Sequence, residues 1–288
     1  MLSEIDRVLI ATPDADAAAA RWRTLLGAEE VSRGPVASLG AARVLLRAGM
    51  SDIELLEPDG AGPIGDALAR RGRAHLFAAG AASPDADAVA HHAASEGARV
   101  HSETGRHLVE FEIEGAPIRF VVSPETERPR AGLIDFLYEA TVLAADQAKA
   151  VDRIARIFAL DRTSFTAITS GAFGYTGVLT LFRAGALHRF EVITPADADK
   201  TMGRYYAREG AAFYMAFAES SAMPLIEANA KTAGAGLTID RPGTRDLALA
   251  SDQLWLHPRS LGGMMLGISR PTMAWKWSGH PERVEALG

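Results

Sequence analysis

The chain has 288 residues, a net charge of −6, 48 % hydrophobic residues and no cysteine. It is too long for one ordinary core and about right for two domains, with the apolar content of a globular protein. Charge is scattered with no basic stripe, which argues against a nucleic-acid partner, and the missing cysteine excludes disulfides, thiolate metal sites and a cysteine nucleophile.

In chain order, the opening MLSEIDRVLIATPDAD carries acids early and lacks the apolar core of a signal peptide. No run of about 18 apolar residues follows, so no membrane span is expected and the cytoplasm is the expected location. The segment IDRVLIATPDADAAAARWRTLLG, from Ile5, reads as a strand and then a helix over about 14–26, started by Asp14 and stopped by Gly27. GAARVLLRAG and DIELLEP, ending at Pro58, read as strands. A second strand and helix begin at Ala74, with the helix over about 84–96 behind Asp85 and before Gly97; APIRFVVSP closes that segment at Pro124. A third begins at Tyr138, with its helix over about 146–158 behind Asp146 and stopped at Leu160-Asp161; GVLTLFRAG and HRFEVITP follow, to Pro195. The fourth begins at Phe213, with its helix over about 221–233 between Ser221 and Gly234, and ends in GGMMLGISRP at Pro271.

Each segment is therefore β-α-β-β-β, repeating at a spacing of roughly 65–75 residues. The expected fold class is α+β, with four such units paired into two domains. The polar stretch SPETERPRAG, Ser123 to Gly132, marks the seam, giving domains over 1–125 and 133–288, the second with a C-terminal tail.

A duplicated βαβββ unit resembles the vicinal oxygen chelate superfamily of glyoxalase I, methylmalonyl-CoA epimerase, extradiol dioxygenases and bleomycin-resistance proteins. IDRVLIATPDADAAAARWRTLLG looks like that family's opening strand and helix, and IELLEP like its fourth strand. LHPRSLGGMMLGI is similar to the ending of the epimerase-like members. The resemblance implies curved mixed sheets, with facing strands offering side chains to a divalent metal: His from first strands, Glu or Gln from fourth strands.

Carried over residue by residue, the pattern is broken. In the first domain the metal positions fall on Arg7, Glu54, His75 and either Arg119 or Phe120. Glu54 and His75 would be an incomplete site for a divalent metal, opposed by a neighbouring cation. The other reading is an Arg7–Glu54 ion pair with His75 an ordinary partly buried histidine. In the second domain the positions fall on Glu139, Glu191, Tyr214 and Gly267. Two facing carboxylates would push one pKa up and divide base from acid, and Tyr214 could donate to a developing oxyanion. The other reading is a pair neutralised by Arg or Lys, with Tyr214 as packing. No second-domain position supplies the imidazoles that an iron dioxygenase requires.

Other residues carry less. His91 and His92 are adjacent on a helix and share no face. His188, three before Glu191, points away from it in a strand, and His257 begins a turn. TSGAFGYTG, Thr169 to Gly177, reads as a flexible hairpin or cleft rim, since no helix follows it. Trp275 and Trp277 fall on one side of an extended tail that covers an apolar surface, a homodimer contact being one option.

The sequence thus points to a glyoxalase-like lyase or isomerase. It would remove a proton next to a carbonyl in a small organic or acyl-thioester substrate, with Glu139, Glu191 and Tyr214 as catalytic residues. The alternative is a non-catalytic small-molecule binder like the bleomycin-resistance proteins. The cofactor is left open: none is one option, and a divalent metal at Glu54 and His75 in the first domain is the other.

Overall fold

The computed structural model describes residues 1–287. Its strands are β1 (Glu4–Ala11), β2 (Glu29–Val36), β3 (Ala41–Ala48), β4 (Ser51–Pro58), β5 (His75–Ser83), β6 (Arg99–Glu103), β7 (Arg106–Ile113) and β8 (Ala116–Pro124). They continue with β9 (Phe136–Leu143), β10 (Thr166–Ser170), β11 (Tyr175–Leu181), β12 (Arg189–Pro195), β13 (Ala212–Glu219), β14 (Leu237–Asp240), β15 (Gln253–Leu256) and β16 (Met265–Ser269). The helices are α1 (Ala15–Leu26), α2 (Pro63–Arg71), α3 (Ala86–Ser95), α4 (Gln147–Ile157), α5 (Thr201–Glu209) and α6 (Met223–Thr232).

Two mixed sheets of eight strands result, ordered β2-β3-β4-β1-β5-β8-β7-β6 and β10-β11-β12-β9-β13-β16-β15-β14. In each of the four units the last strand returns parallel to the first: β4 beside β1, β8 beside β5, β12 beside β9 and β16 beside β13. A parallel return needs a crossover of a dozen residues or more, which the helix supplies, and antiparallel hairpins fill the rest. This is the expected α+β fold of four βαβββ units. No helix among the described residues is long and apolar enough to cross a membrane.

The expected caps form. The Asp14, Asp85 and Asp146 side chains accept from the backbone N–H of Ala17, Ala88 and Lys149. The fourth helix starts at Met223 instead of behind Ser221, after Ala222, whose N–H donates to Ser220 Oγ. Helices α2 and α5 were not expected. The first has proline in its first turn, and Gly72 closes it at φ 62° by donating to the Leu68 carbonyl, a pairing of signals legible in principle.

By packing, the chain divides into two compact units that do not follow chain order. One unit comprises Met1–Ile5, Ala78–Thr126 and Glu139–Tyr214. Its core is aromatic: Phe120 lies 4.4 Å from Phe190 and 5.0 Å from Phe158 between ring centroids, with Phe111, Phe182 and Phe213 around them. Phe120 is therefore a core residue, and its neighbour Arg119 takes the opposite face and pairs with Glu110 at 2.6 Å. The other unit comprises Asp6–Phe77, Glu127–Tyr138 and Met215 onward. There Trp22 is buried and donates to the Leu261 carbonyl at 3.1 Å, and Asn229 on α6 donates to the Leu25 carbonyl on α1 at 3.3 Å. Its tail is not extended: Met273–Lys276 forms a short 3-10 helix. Trp275 and Trp277 consequently part company, Trp277 lying 6.5 Å from Phe217 and Trp275 lying under the Arg283 guanidinium.

Candidate active site

The site in the second sheet follows from strand register. β9 and β12 run parallel, with Arg189 beside Glu139 and Glu191 beside Thr141. Alternation puts Glu139 and Thr141 on one face of β9, and Arg189 and Glu191 on the same face of β12. The intervening Phe190 packs against Phe158 at the end of α4, so the charged residues occupy the face turned away from the helix. Tyr214 shares that face, because its neighbour Phe213 joins the phenylalanine core. Tyr175 shares it too: β11 pairs with β12 such that Leu179 lies beside Glu191, and Tyr175 is four residues from Leu179.

These groups are buried. Relative exposure is 0 % for Arg189, 1 % for Glu139, 5 % for Glu191 and 9 % for Tyr214. Arg189 Nε donates to Glu139 Oε2 at 2.6 Å, and its Nη1 donates to the Leu187 carbonyl at 2.9 Å. Thr141 Oγ1 donates to Glu191 Oε2 at 2.5 Å. Burial raises the Glu191 pKa well above the carboxylate range, and the Glu139 charge and a hydrogen bond to Glu139 raise it further; Thr141 and Arg189 oppose this incompletely. One guanidinium thus serves two carboxyl groups. Glu139 takes it, and Glu191, hydrogen-bonded to Glu139, holds its proton to a higher pH than an ordinary carboxyl group does, the behaviour of close carboxyl pairs in general.

Burial also pushes the Tyr214 phenol up to about 12, with Tyr205 adding to it. Burial and then the Glu191 and Glu139 charges raise the Tyr175 phenol far above its usual value. Both remain proton donors at neutral pH. The Tyr205 ring meets Tyr214 edge-on at 4.8 Å and is itself tied by its hydroxyl to the Phe213 carbonyl.

Sequence reasoning named Glu139, Glu191 and Tyr214, and the fold puts all three on one face. It missed Arg189, Thr141 and Tyr175. The first two were legible: each lies two residues from a named glutamate, so period-2 alternation gives it the same face. His188 precedes β12 instead of lying in it, and its Nδ1 accepts from the Ile5 N–H at 3.0 Å. Gly267, where a last carboxylate was sought, faces an aromatic ring: a Cβ there would meet Phe217 Cε1 at 2.2 Å. The Thr169–Gly177 stretch is the β10–β11 hairpin turn, as expected, with Gly174 at φ 72°.

The first sheet presents a different centre. Arg7 Nη1 contacts Glu54 Oε1 at 3.2 Å and Arg43 contacts Glu54 Oε2 at 3.5 Å. Arg7 also pairs with Asp6 at 2.7 Å; Arg128 bridges Asp6 at 2.6 Å and Asp52 at 3.1 Å; Arg47 holds Asp52 at 2.8 Å. Burial would lower the Arg7 pKa, but Asp6, Glu54 and Asp52 together hold it higher than usual. His75 is buried, and its Nδ1 lies 2.9 Å from the Arg73 carbonyl. Burial lowers its pKa to about 4, against that hydrogen bond and assisted by the Arg71, Arg73 and Arg70 charges. The imidazole is neutral, as metal binding requires, but both oxygens of Glu54 already meet guanidinium groups. The donor sets therefore fit a divalent metal poorly in both sheets: guanidinium contacts in the first, no imidazole in the second. No cluster of three metal-ligating His, Cys, Asp or Glu side chains occurs among the described residues.

One Ser–His–Asp chain does exist, with Ser102 Oγ 2.9 Å from His107 Nδ1 and His107 Nε2 2.9 Å from Asp87. The Asp87 side chain is 82 % exposed, and water competes for these bonds.

Residues 4–111 match the model of the Glyoxalase/Bleomycin resistance protein/Dioxygenase superfamily. That match lies within the first sheet, and the second sheet repeats the same strand order. Among solved structures it resembles a triple mutant of 4-hydroxymandelate synthase from Streptomyces coelicolor at 15 % identity, covering 94 % of this chain and 93 % of that one with a TM-score of 0.73. A fusion of a xylose isomerase-like TIM barrel with 4-hydroxyphenylpyruvate dioxygenase matches at 14 % identity and a TM-score of 0.64, over 94 % of this chain and 49 % of that one. Methylmalonyl-CoA epimerase from Mycobacterium tuberculosis matches 48 % of this chain and 89 % of its own length, at 15 % identity and a TM-score of 0.38. No curated protein matches by sequence.

Proposed function

We propose that the chain is a glyoxalase-like lyase or isomerase that removes a proton next to a carbonyl in a small organic or acyl-thioester substrate. The observation that carries this reading is the buried Glu139–Glu191 pair served by one guanidinium, with burial and the neighbouring carboxylate pushing the Glu191 pKa up. In the proposed step the substrate C–H bond breaks and its proton bonds to the carboxylate of the pair. The electron pair moves into the carbonyl, which becomes an enolate oxygen. Neutralising Glu139 in this way leaves the Arg189 charge to balance the enolate, so the buried charge stays constant. Tyr214 donates a hydrogen bond to that oxygen. Return of the proton to either face, or loss of a leaving group, then separates isomerase from lyase chemistry.

The test is deuterium incorporation from D2O into a panel of small ketones and acyl-thioesters. Exchange that depends on Glu191 and Glu139 supports the reading, and no exchange by any member sinks it. A second reading, non-catalytic small-molecule binding, draws on the neutralisation of Glu139 by Arg189 and of Glu54 by Arg7 and Arg43. It predicts ligand binding without exchange. The proposal includes working domains over 1–125 and 133–288, a cytoplasmic location and a homodimer through the tail. Sedimentation of the protein with and without residues from Met273 onward tests that last part.

A further inference from the structure

Resting on the proposed function, a further assignment concerns the atom that meets the substrate oxygen. Arg189 has no exposed surface, and register places it beside Glu139 on the face that also carries Thr141 and Glu191. Two of its three side-chain nitrogens have protein acceptors: Nε donates to Glu139 Oε2 at 2.6 Å, and Nη1 donates to the Leu187 carbonyl at 2.9 Å. The third, Nη2, is buried and donates to no group among the described residues. A buried donor without an acceptor is costly and normally avoided, the more so on a charged group.

Guanidinium geometry gives the direction of that donor. The group is planar, with its N–H bonds in a fixed fork. One N–H of Nη2 runs parallel to the Nε–H, and a carboxylate that binds bidentately fills both. Glu139 fills the Nε half alone. An oxygen accepting from Nη2 therefore lies next to the Glu139 carboxylate. The bonds to Glu139 and Leu187 fix the plane of the fork, so the donor is oriented before a ligand arrives. A carbonyl oxygen at Nη2 brings the carbon next to that carbonyl toward the same carboxylate, the juxtaposition that enolate formation requires. Nη2 is covered in this structure, so the side chains over it shift as a ligand enters.

We infer that Arg189 Nη2 is the direct hydrogen-bond donor to the substrate carbonyl oxygen, and to the enolate oxygen that replaces it, while Glu139 beside it receives the proton. The C–H proton bonds to Glu139, the C–H electron pair moves onto the oxygen held by Nη2, and no other reactant is consumed. Arg189 is thereby a catalytic residue as well as the counter-charge of Glu139.

Arg189→Lys separates direct donation from charge balance alone. Lysine keeps a positive charge beside Glu139 but has one ammonium in place of the fork. On a ketone or acyl-thioester that the wild-type chain exchanges in D2O, kcat should fall about 10²–10³-fold, the range for losing one such donor, with a much smaller change in KM. Wild-type exchange in Arg189→Lys overturns the inference, because charge alone would then suffice. A second measurement needs no variant: the guanidinium 15N resonances of Arg189, assigned through its own side-chain couplings, are followed by NMR as pentane-2,4-dione is added to the full chain. The Nη2 signal should move on binding, and the Nε signal, already bonded to Glu139, should move less. An unmoved Nη2 signal at saturating dione, or no binding of dione, leaves Arg189 a structural partner of Glu139 and overturns the inference. The two measurements keep it apart from the catalytic reading. A moved Nη2 signal without deuterium exchange keeps the donor and removes the catalysis; exchange with an unmoved signal does the reverse.

Discussion

The two sheets put different charges into the same slots. In the first, Arg7 on β1 lies beside Asp52 on β4, and Leu9 beside Glu54. In the second, Glu139 on β9 lies beside Arg189 on β12, and Thr141 beside Glu191. Arginine and carboxylate have exchanged strands, while the glutamate two residues on is common to both. In the first sheet Arg7, Arg43, Arg47 and Arg128 surround Asp6, Asp52 and Glu54, and every carboxylate finds a guanidinium. In the second, two carboxyl groups share Arg189, and the Glu191 pKa is pushed up by burial and by Glu139. A saturated ion network is a structural device, whereas a buried carboxyl group with a movable proton is a chemical one. What distinguishes the sheets is the count of cations more than the kind of fold.

The largest effect expected from this contrast is on exchange rate. Glu139→Gln keeps the shape and removes the carboxylate that receives the substrate proton, so deuterium exchange should fall about 10²–10⁴-fold, the range for losing an acid–base group. Glu54→Gln should leave exchange at the wild-type rate. Comparable losses in both variants, measured by NMR on the same substrate, would abolish the distinction between the sheets.

Stability should separate the sheets next. Arg189→Met strips the cation from a fully buried pair, and urea denaturation at neutral pH should show a loss of about 3–5 kcal/mol. Arg7→Met should cost less, about 1–3 kcal/mol, because Asp6 retains Arg128 and Glu54 retains Arg43. Equal losses would mean that the first network is no better buffered than the second pair.

The fold was legible because it rests on local signals repeated four times: an aspartate ahead of three of the helices, a strand ending in proline, a period of one unit. The candidate site was legible as far as those strands carried it, to Glu139, Glu191 and Tyr214. What was not legible came from partners brought together across strands. Alternation was applied to His188 and stopped short of Arg189, the neighbour that decides the charge of the whole cluster. Tyr175 reaches the site from a hairpin whose register depends on a turn at Gly174, and nothing in TSGAFGYTG fixes that register in advance. At Gly267 the sequence showed an absent carboxylate, while the structure shows the Phe217 ring against it.

The smallest expected effect is a slope of stability against pH, and it sharpens the comparison most directly. The folded-state pKa of Glu191 lies above its ordinary, unfolded value of 4.5. Between those two values the folded protein binds the proton and the unfolded chain does not. Stability from this group is therefore complete below about pH 4.5 and declines as pH rises toward the raised folded value. Glutamine has no such proton. The stability difference between wild type and Glu191→Gln should drift in favour of the variant as pH rises above about 4.5 toward the raised folded-state value, a trend that chemical denaturation at a series of pH values would resolve. Glu54 has guanidinium contacts at both oxygens, and its replacement by glutamine should not produce that upward drift. If the drift appears for Glu54→Gln and not for Glu191→Gln, the surplus carboxyl lies in the first sheet, and the search for chemistry belongs there.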